Sequence, residues 1–245
     1  MDVMGDFTLV RKIFHRIKNA ERDFVLFLLV GVFLGIAMGI HESTFNNFAN
    51  DTYHISPVVR GWLEFPREMP GALVAIYAGV LIFMGDVRLA AMANMIAAVG
   101  IVGMAVLSPT LEVMVLWMVI MSSGMHIFLP LNSSIGMGLA KEGQMGKRLG
   151  QLNAANTAAY VGGCLVVWFT FRYIKVSYSI IFVIAGIMFA FAGLTLYLMS
   201  PKIIEKPSRR FVLKKEYGLY YWLSILFGAR KQIFLTFGPW VLIKI

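Results

Sequence analysis

Residues 24–40 form the first unbroken apolar run, and comparable stretches recur at 57–84, 88–107, 111–140, 149–171 and 179–198. Most match the ~20 residues that a helix needs to cross a hydrocarbon core about 30 Å thick. The pattern predicts an all-α integral membrane bundle of six spanning helices. Residues 218–245 read as the start of a seventh, interrupted by Gly228, Arg230, Lys231, Gln232 and Gly238-Pro239. The first helix is expected to continue to Asn50, because the polar stretch 41–50 holds neither glycine nor proline. Ser56-Pro57 is a good helix start, a capping hydroxyl before a residue that needs no amide proton. The second helix then runs to Met84, with bends expected at Pro66 and Pro70. Gly85-Asp86-Val87-Arg88 and Ser108-Pro109-Thr110 are tight turns. The implied organisation is a cytoplasmic segment 1–23, a bundle 24–200, a basic cytoplasmic linker 201–217 and the opening of a second bundle at 218–245.

Composition turns that pattern into a membrane assignment. The chain of 245 residues is 59% hydrophobic and only 14% charged, against roughly 25% charged in soluble domains. Its surface must therefore meet lipid. Net charge is +9, which in another setting would suggest nucleic acid. Fifteen of the 22 Lys and Arg fall in residues 1–23, at Arg88, in 141–148 and in 202–215. Only Arg172 and Lys175 belong clearly to the opposite side, with Arg60 and Arg67 near the start of helix two. Retention on the cytoplasmic face accounts for this bias without a nucleic-acid partner. It places the N-terminus inside, in the cytoplasmic (inner) membrane. The polar residues Asp2, Asp6, Arg11, Lys12, Arg16, Lys18 and Arg22 do not match a cleavable leader, and the single Cys164 excludes an internal disulfide.

The charges inside the spans carry the functional signal. Arg60, Glu64, Arg67 and Glu68 are spaced three or four residues apart, so that Arg60 can face Glu64, and Glu64 can face Arg67 or Glu68. His41, Glu42, Asn46 and Asn47 extend helix one beyond its apolar run. Helix four adds His126 and Asn132, helix five Asn153 and Asn156, and the last segment Arg230 and Lys231. Charge at mid-membrane costs about 2.5–3.5 kcal/mol or more, so such groups face protein or a water-filled cavity. The helix-two cluster is either a set of mutually satisfied ion pairs near the interface or a cavity wall that contacts a solute or coupling ion. His41 beside Glu42 is suited to proton uptake. His126 is either a packed, hydrogen-bonded residue or a relay. Arg230 and Lys231 either attract an anion or reach outward to the interface. Asp86 either caps the third helix or latches a neighbouring one. Two small-residue stripes, Gly31/Gly35/Gly39 and Gly150/Ala154/Ala158/Gly162, are expected to bring helices close together. Motifs for metal, phosphate or serine-hydrolase chemistry are missing, so neither enzyme activity nor a cofactor is expected.

The segments Arg60-Gly61-Trp62-Leu63-Glu64-Phe65-Pro66-Arg67-Glu68-Met69-Pro70, Gly85-Asp86-Val87-Arg88 and Gly146-Lys147-Arg148-Leu149-Gly150, with the order of spans and the basic linker, resemble the major facilitator superfamily of transporters. Between helices two and three the matching positions are Asp86 and Arg88. Ile82 stands where that family has glycine, and Leu89-Ala90-Ala91 replaces its later Gly-Arg run. The resemblance implies a six-helix half that pairs with a second half around a central site and works by alternating access. It implies lining or coupling roles for His41, Glu42, Asn46, Arg60, Glu64, Arg67, Glu68, His126, Asn156 and Arg230, and gating roles for Asp86 and Arg88. Expected partners are membrane lipid, a small solute of unassigned class and the C-terminal half, since the chain ends inside an apolar segment. The expected function is secondary transport of that solute, with proton coupling resting on His41 and Glu42. The rival is a non-transporting membrane sensor or scaffold that uses the same half for recognition. Labelling intact vesicles from each side should place residues 50–56 and 201–217 in opposite compartments; a shared compartment would contradict the topology.

Overall fold

Among the described residues of the computed structural model, the apolar runs are largely helical. The structure describes the backbone of residues 3–81, 85–140 and 143–201 and scattered positions between 215 and 243, with side chains given from residue 21 onward except at 75–84. The helices are α1 (Val3–Tyr53), α2 (Pro57–Trp62), α3 (Glu64–Leu81), α4 (Asp86–Val106), α5 (Leu111–Gly138), α6 (Met145–Phe169) and α7 (Tyr178–Tyr197). A π-helical turn, Thr170–Ile174, extends α6. Five helices are long and apolar enough to cross a membrane: Glu21–Tyr53, Asp86–Val106, Leu111–Gly138, Met145–Ile174 and Tyr178–Tyr197. The linker 202–214 and most of the expected seventh helix, including Arg230, lie outside the described residues.

α1 is one helix of 51 residues that continues from the polar N-terminal segment into the first span. No proline precedes Pro57 and no glycine falls between Gly5 and Gly31, so nothing in that stretch favours a break. The second span is divided in two, and the interruption is at Leu63 rather than at Pro66 or Pro70. Pro66 has no amide proton for the Trp62 carbonyl and its ring crowds that group, so the disturbance falls one turn earlier. Pro70 lies within α3. This second part holds Glu64, Arg67 and Glu68 in its 18 residues, and it is not among the five apolar spans.

Local chemistry fixes the boundaries. Ser56 accepts a hydrogen bond from the Val59 amide at 3.3 Å, and Thr110 accepts one from Val113 at 3.5 Å. Where α1 ends without glycine, His54 takes the left-handed conformation at φ 50°.

Packing runs in an arc: α3 against α5, α5 against α4, α4 against α7, α7 against α1, and α1 against α6. Exchanging the first three spans (α1, α2–α3, α4) for the last three (α5, α6, α7) maps this list of main pairings onto itself. Glycines make the contacts possible. A Cβ on Gly39 would overlap the Tyr160 carbonyl of α6, and one on Gly163 would lie 2.6 Å from the Ile36 carbonyl of α1. The joint between α4 and α5 uses Gly100 against Met121 and Gly124 against the Ala93 carbonyl. The stripe on α1 packs as expected, whereas the one expected on α6 does not. Gly150 and Gly162 meet nothing within 4 Å, and Ala154 and Ala158 are exposed. α6 instead turns Leu152, Asn156, Tyr160 and Gly163 toward α1.

Polar bonds tie the two ends. At the end carrying residue 21, Arg148 reaches Glu21 at 3.1 Å and stacks on Phe24, and Arg22 donates to the Leu198 carbonyl at 3.2 Å. At the other end, the Tyr178 hydroxyl donates to Asp51 at 2.6 Å and that of Tyr53 to the Ser108 carbonyl at 2.7 Å. Replacing Gly39 with leucine should destabilise the bundle by about 1–3 kcal/mol through overpacking, whereas Gly162→Leu should stay within roughly 0.5 kcal/mol. Thermal unfolding in detergent distinguishes them, and equal losses would contradict the α1–α6 contact.

Candidate functional site

The break at Leu63 places Arg60 on α2 and Glu64, Arg67 and Glu68 on α3 beside the polar part of α1. Arg60 is 2% exposed. Its Nε donates to Asn46 Oδ1 at 2.6 Å, a second guanidinium nitrogen donates to Glu64 Oε1 at 2.5 Å, and its charge lies over the Phe45 ring at 5.4 Å. Glu64 uses its other oxygen to accept from Arg67 Nε at 2.9 Å and from a second Arg67 nitrogen at 2.8 Å. Arg67 is the hub, for it also meets Glu42 of α1 at 3.7 Å and Glu68 at 3.4 Å.

From Glu68 the network crosses to α5. Glu68 Oε2 is 3.3 Å from His126 Nε2. The other ring nitrogen, Nδ1, is 3.0 Å from both the hydroxyl and the carbonyl oxygen of Ser122, one helical turn earlier. The Ser122 hydroxyl in turn donates to the Arg67 carbonyl of α3. Gly71 makes room for the imidazole, since a Cβ there would lie 2.6 Å from His126 Cδ2. His126 is fifteen residues from the start of α5 and twelve from its end, which puts the junction near mid-helix. Two guanidinium groups and three carboxylates are thus concentrated where α1, α2–α3 and α5 meet. Arrayed this way, they can hold a polar solute or exchange protons while the lipid-facing surface stays apolar.

His41 stands beside this network. It is 2% exposed, near Phe45 and Phe182, with its Nδ1 3.7 Å from Glu42. Neither of its ring nitrogens, nor the Thr44 hydroxyl, reaches a hydrogen-bond partner among the described residues. Buried polar atoms of this kind cost about 1–3 kcal/mol each.

Of the residues expected from sequence, His41, Glu42, Asn46, Arg60, Glu64, Arg67, Glu68 and His126 come together. Asn156 is apart, its amide donating to the Gly31 carbonyl at 2.9 Å within the α1–α6 joint. Asp86 and Arg88 lie at the end of the bundle that carries residue 21. Gly85, not Asp86, occupies the capping position of α4, and Asp86 accepts from Ser134 of α5 at 3.3 Å. Arg88 donates to the Tyr197 carbonyl of α7 and covers the Tyr197 ring at 4.1 Å. The two therefore bind α4 to different neighbours. Ser122 and Gly71 were not singled out from the sequence as site residues, although Ser122 precedes His126 by one helical turn. An open apolar hollow of about 520 Å³ lies on the exposed face of α2, lined by Pro57, Val58, Gly61, Trp62 and Phe65. No group of three or more metal-ligating side chains occurs among the described residues.

Compared with models of known protein families and with curated proteins, the chain matches none. Arg60→Ala would leave Asn46 Oδ1 without its donor and Glu64 with Arg67 alone, and should cost about 1–3 kcal/mol. Arg60→Lys, unable to serve both partners in the same geometry, should fall between. Thermal unfolding is the readout, with the exposed Arg172 mutated to alanine as the control; a loss no larger than the control's would contradict the assignment.

Proposed function

We propose that this chain forms a half of a secondary transporter of the major facilitator kind, moving a small solute across the cytoplasmic membrane by alternating access, with proton coupling. The N-terminus lies inside, Asp86 and Arg88 act at the cytoplasmic gate, and a second half completes the central cavity. One observation carries the reading: a continuous ionic network runs from Asn46 through Arg60, Glu64, Arg67 and Glu68 to His126, inside helices that are otherwise apolar. Stability alone gives little reason for this arrangement, because well-packed apolar residues of similar volume are often as stabilising as buried ion pairs.

The self-mapping pairing pattern is a second support. Inverted three-helix units are a recurrent basis of alternating access, since each unit can take the other's conformation in turn. Here the polar network occupies the repeat-related helices α1 and α5 together with α2–α3, whereas α4 and α7 form the back of the arc. In this reading Arg67 is the pivot: it is shared among Glu42, Glu64 and Glu68, and an arriving anionic or cationic solute changes which carboxylates it holds.

The test is uptake by the protein in proteoliposomes, screened over solute classes with and without a pH gradient. Uptake that depends on the gradient and falls at least about tenfold in Arg67→Gln, equivalent to ~1.4 kcal/mol, is the expected result. Uptake indifferent to the gradient and to Glu42→Gln would remove the proton-coupling part. Solute binding without any flux would favour a sensor instead.

A further inference from the structure

The hydrogen bonds around His126 determine where its protons lie. The Ser122 hydroxyl has one hydrogen, and its closest acceptor is the Arg67 carbonyl. With that hydrogen committed, the hydroxyl oxygen can only accept from His126 Nδ1, 3.0 Å away. The Ser122 carbonyl, also 3.0 Å from Nδ1, can only accept as well. Both neighbours therefore require a hydrogen on Nδ1. That leaves Nε2 facing Glu68 Oε2 at 3.3 Å. A neutral imidazole with its hydrogen on Nδ1 would present a lone pair to an ionised carboxylate, which is repulsive. One proton between Nε2 and Oε2 removes the conflict, either as imidazolium with carboxylate or as neutral imidazole with carboxylic acid.

From this we propose that His126 and Glu68 form a proton-storage site, a pair that holds one exchangeable proton whenever α3 and α5 are in contact and releases it when they part. The inference rests on the transport reading for its purpose, though not for its chemistry. On release the N–H or O–H bond breaks, the proton passes to water, and the pair goes from neutral to one negative charge. The surroundings match this. On α3 and α2 the charged neighbours are Arg67, Glu64 and Arg60, and on α1 they are Glu42 and His41, with Tyr160 of α6 facing Glu42. Arg60, Arg67, Glu42, Glu64, Glu68 and His126 sum to zero with the proton in place and to −1 without it. Storage also depends on the seat for the ring, because the Gly71 side of α3 holds the imidazole against Glu68. Contact between the helices and retention of the proton are therefore the same event.

The experiment uses the protein labelled with ¹⁵N-histidine, in lipid nanodiscs at neutral pH. Four histidines are present, and His126→Gln identifies the signals of interest. The Glu68 carboxyl is followed by infrared spectroscopy, its band assigned with Glu68→Gln. The expected result in the unaltered protein is one of two pairings, imidazolium with ionised carboxylate or Nδ1-protonated imidazole with carboxylic acid. In Glu68→Gln the amide donates to Nε2, so His126 should become neutral with its hydrogen on Nδ1. A neutral His126 beside an ionised Glu68 in the unaltered protein would overturn the proposal, and so would an imidazolium that persists in Glu68→Gln. These spectra need no flux. Their failure leaves the transport reading standing, and an absence of uptake leaves the proton assignment standing.

Discussion

A guanidinium removed from water has to be answered by oxygen on nearly every side, and the interior of this bundle is arranged around that demand. Arg60 is almost fully buried, and its donors are met by Asn46 from α1 and Glu64 from α3. Glu64 is held in turn by Arg67, and Arg67 by two further carboxylates. Through these shared partners the network links α1, α2, α3 and α5. Leu63 itself keeps helical backbone angles, so across the interruption Arg60 still faces Glu64 one turn on.

The remainder of the fold is the apparatus that encloses this interior. Between lipid-exposed helices the hydrophobic effect gives little drive to associate, so close approach of backbones must supply it. Gly35, Gly39 and Gly163 do so between α1 and α6, and Gly100 and Gly124 between α4 and α5. The back of the arc is closed by the small residues of α4 and by the buried face of α7, including Ile181, Phe182, Ala185 and Phe189. In the list of helix pairings the α1–α6 and α3–α5 joints hold equivalent places at the two ends of the arc, but their chemistry differs. The first is a tight glycine contact, and the second carries the histidine, the serine and the carboxylate.

Much of this was legible in the sequence, because membrane helices announce themselves by length and apolarity and because charges are conspicuous inside them. The spans and the residues of the network were readable in that way, and helical spacing alone paired Arg60 with Glu64. Other features were beyond reach for physical reasons. Two stripes of small residues at four-residue spacing look alike in sequence, yet α1 packs on Gly35 and Gly39 while α6 turns Gly150 and Gly162 away. Only the partner helix decides which face is used. A proline's influence falls on the carbonyl four residues earlier, which is why Pro66 is associated with an interruption at Leu63. Asn156 resembled a cavity residue but satisfies the Gly31 carbonyl at a helix joint. Ser122 was set aside as a hydrolase residue and given no other role, because its significance depends on the Arg67 carbonyl, and backbone acceptors on another helix leave no trace in sequence.

The central claim, that the ionised side chains look into a polar interior and not into lipid, is tested most directly by thiol accessibility in native membranes. In a Cys164→Ala background, a charged, membrane-impermeant thiol reagent is applied to Glu68→Cys and, as comparison, to Val99→Cys on the exposed apolar side of α4. Reaction at position 68 with none at position 99 is predicted. Reaction at 99 with protection at 68 would mean that the bundle is inside out with respect to water, and the network would lose its function along with its location.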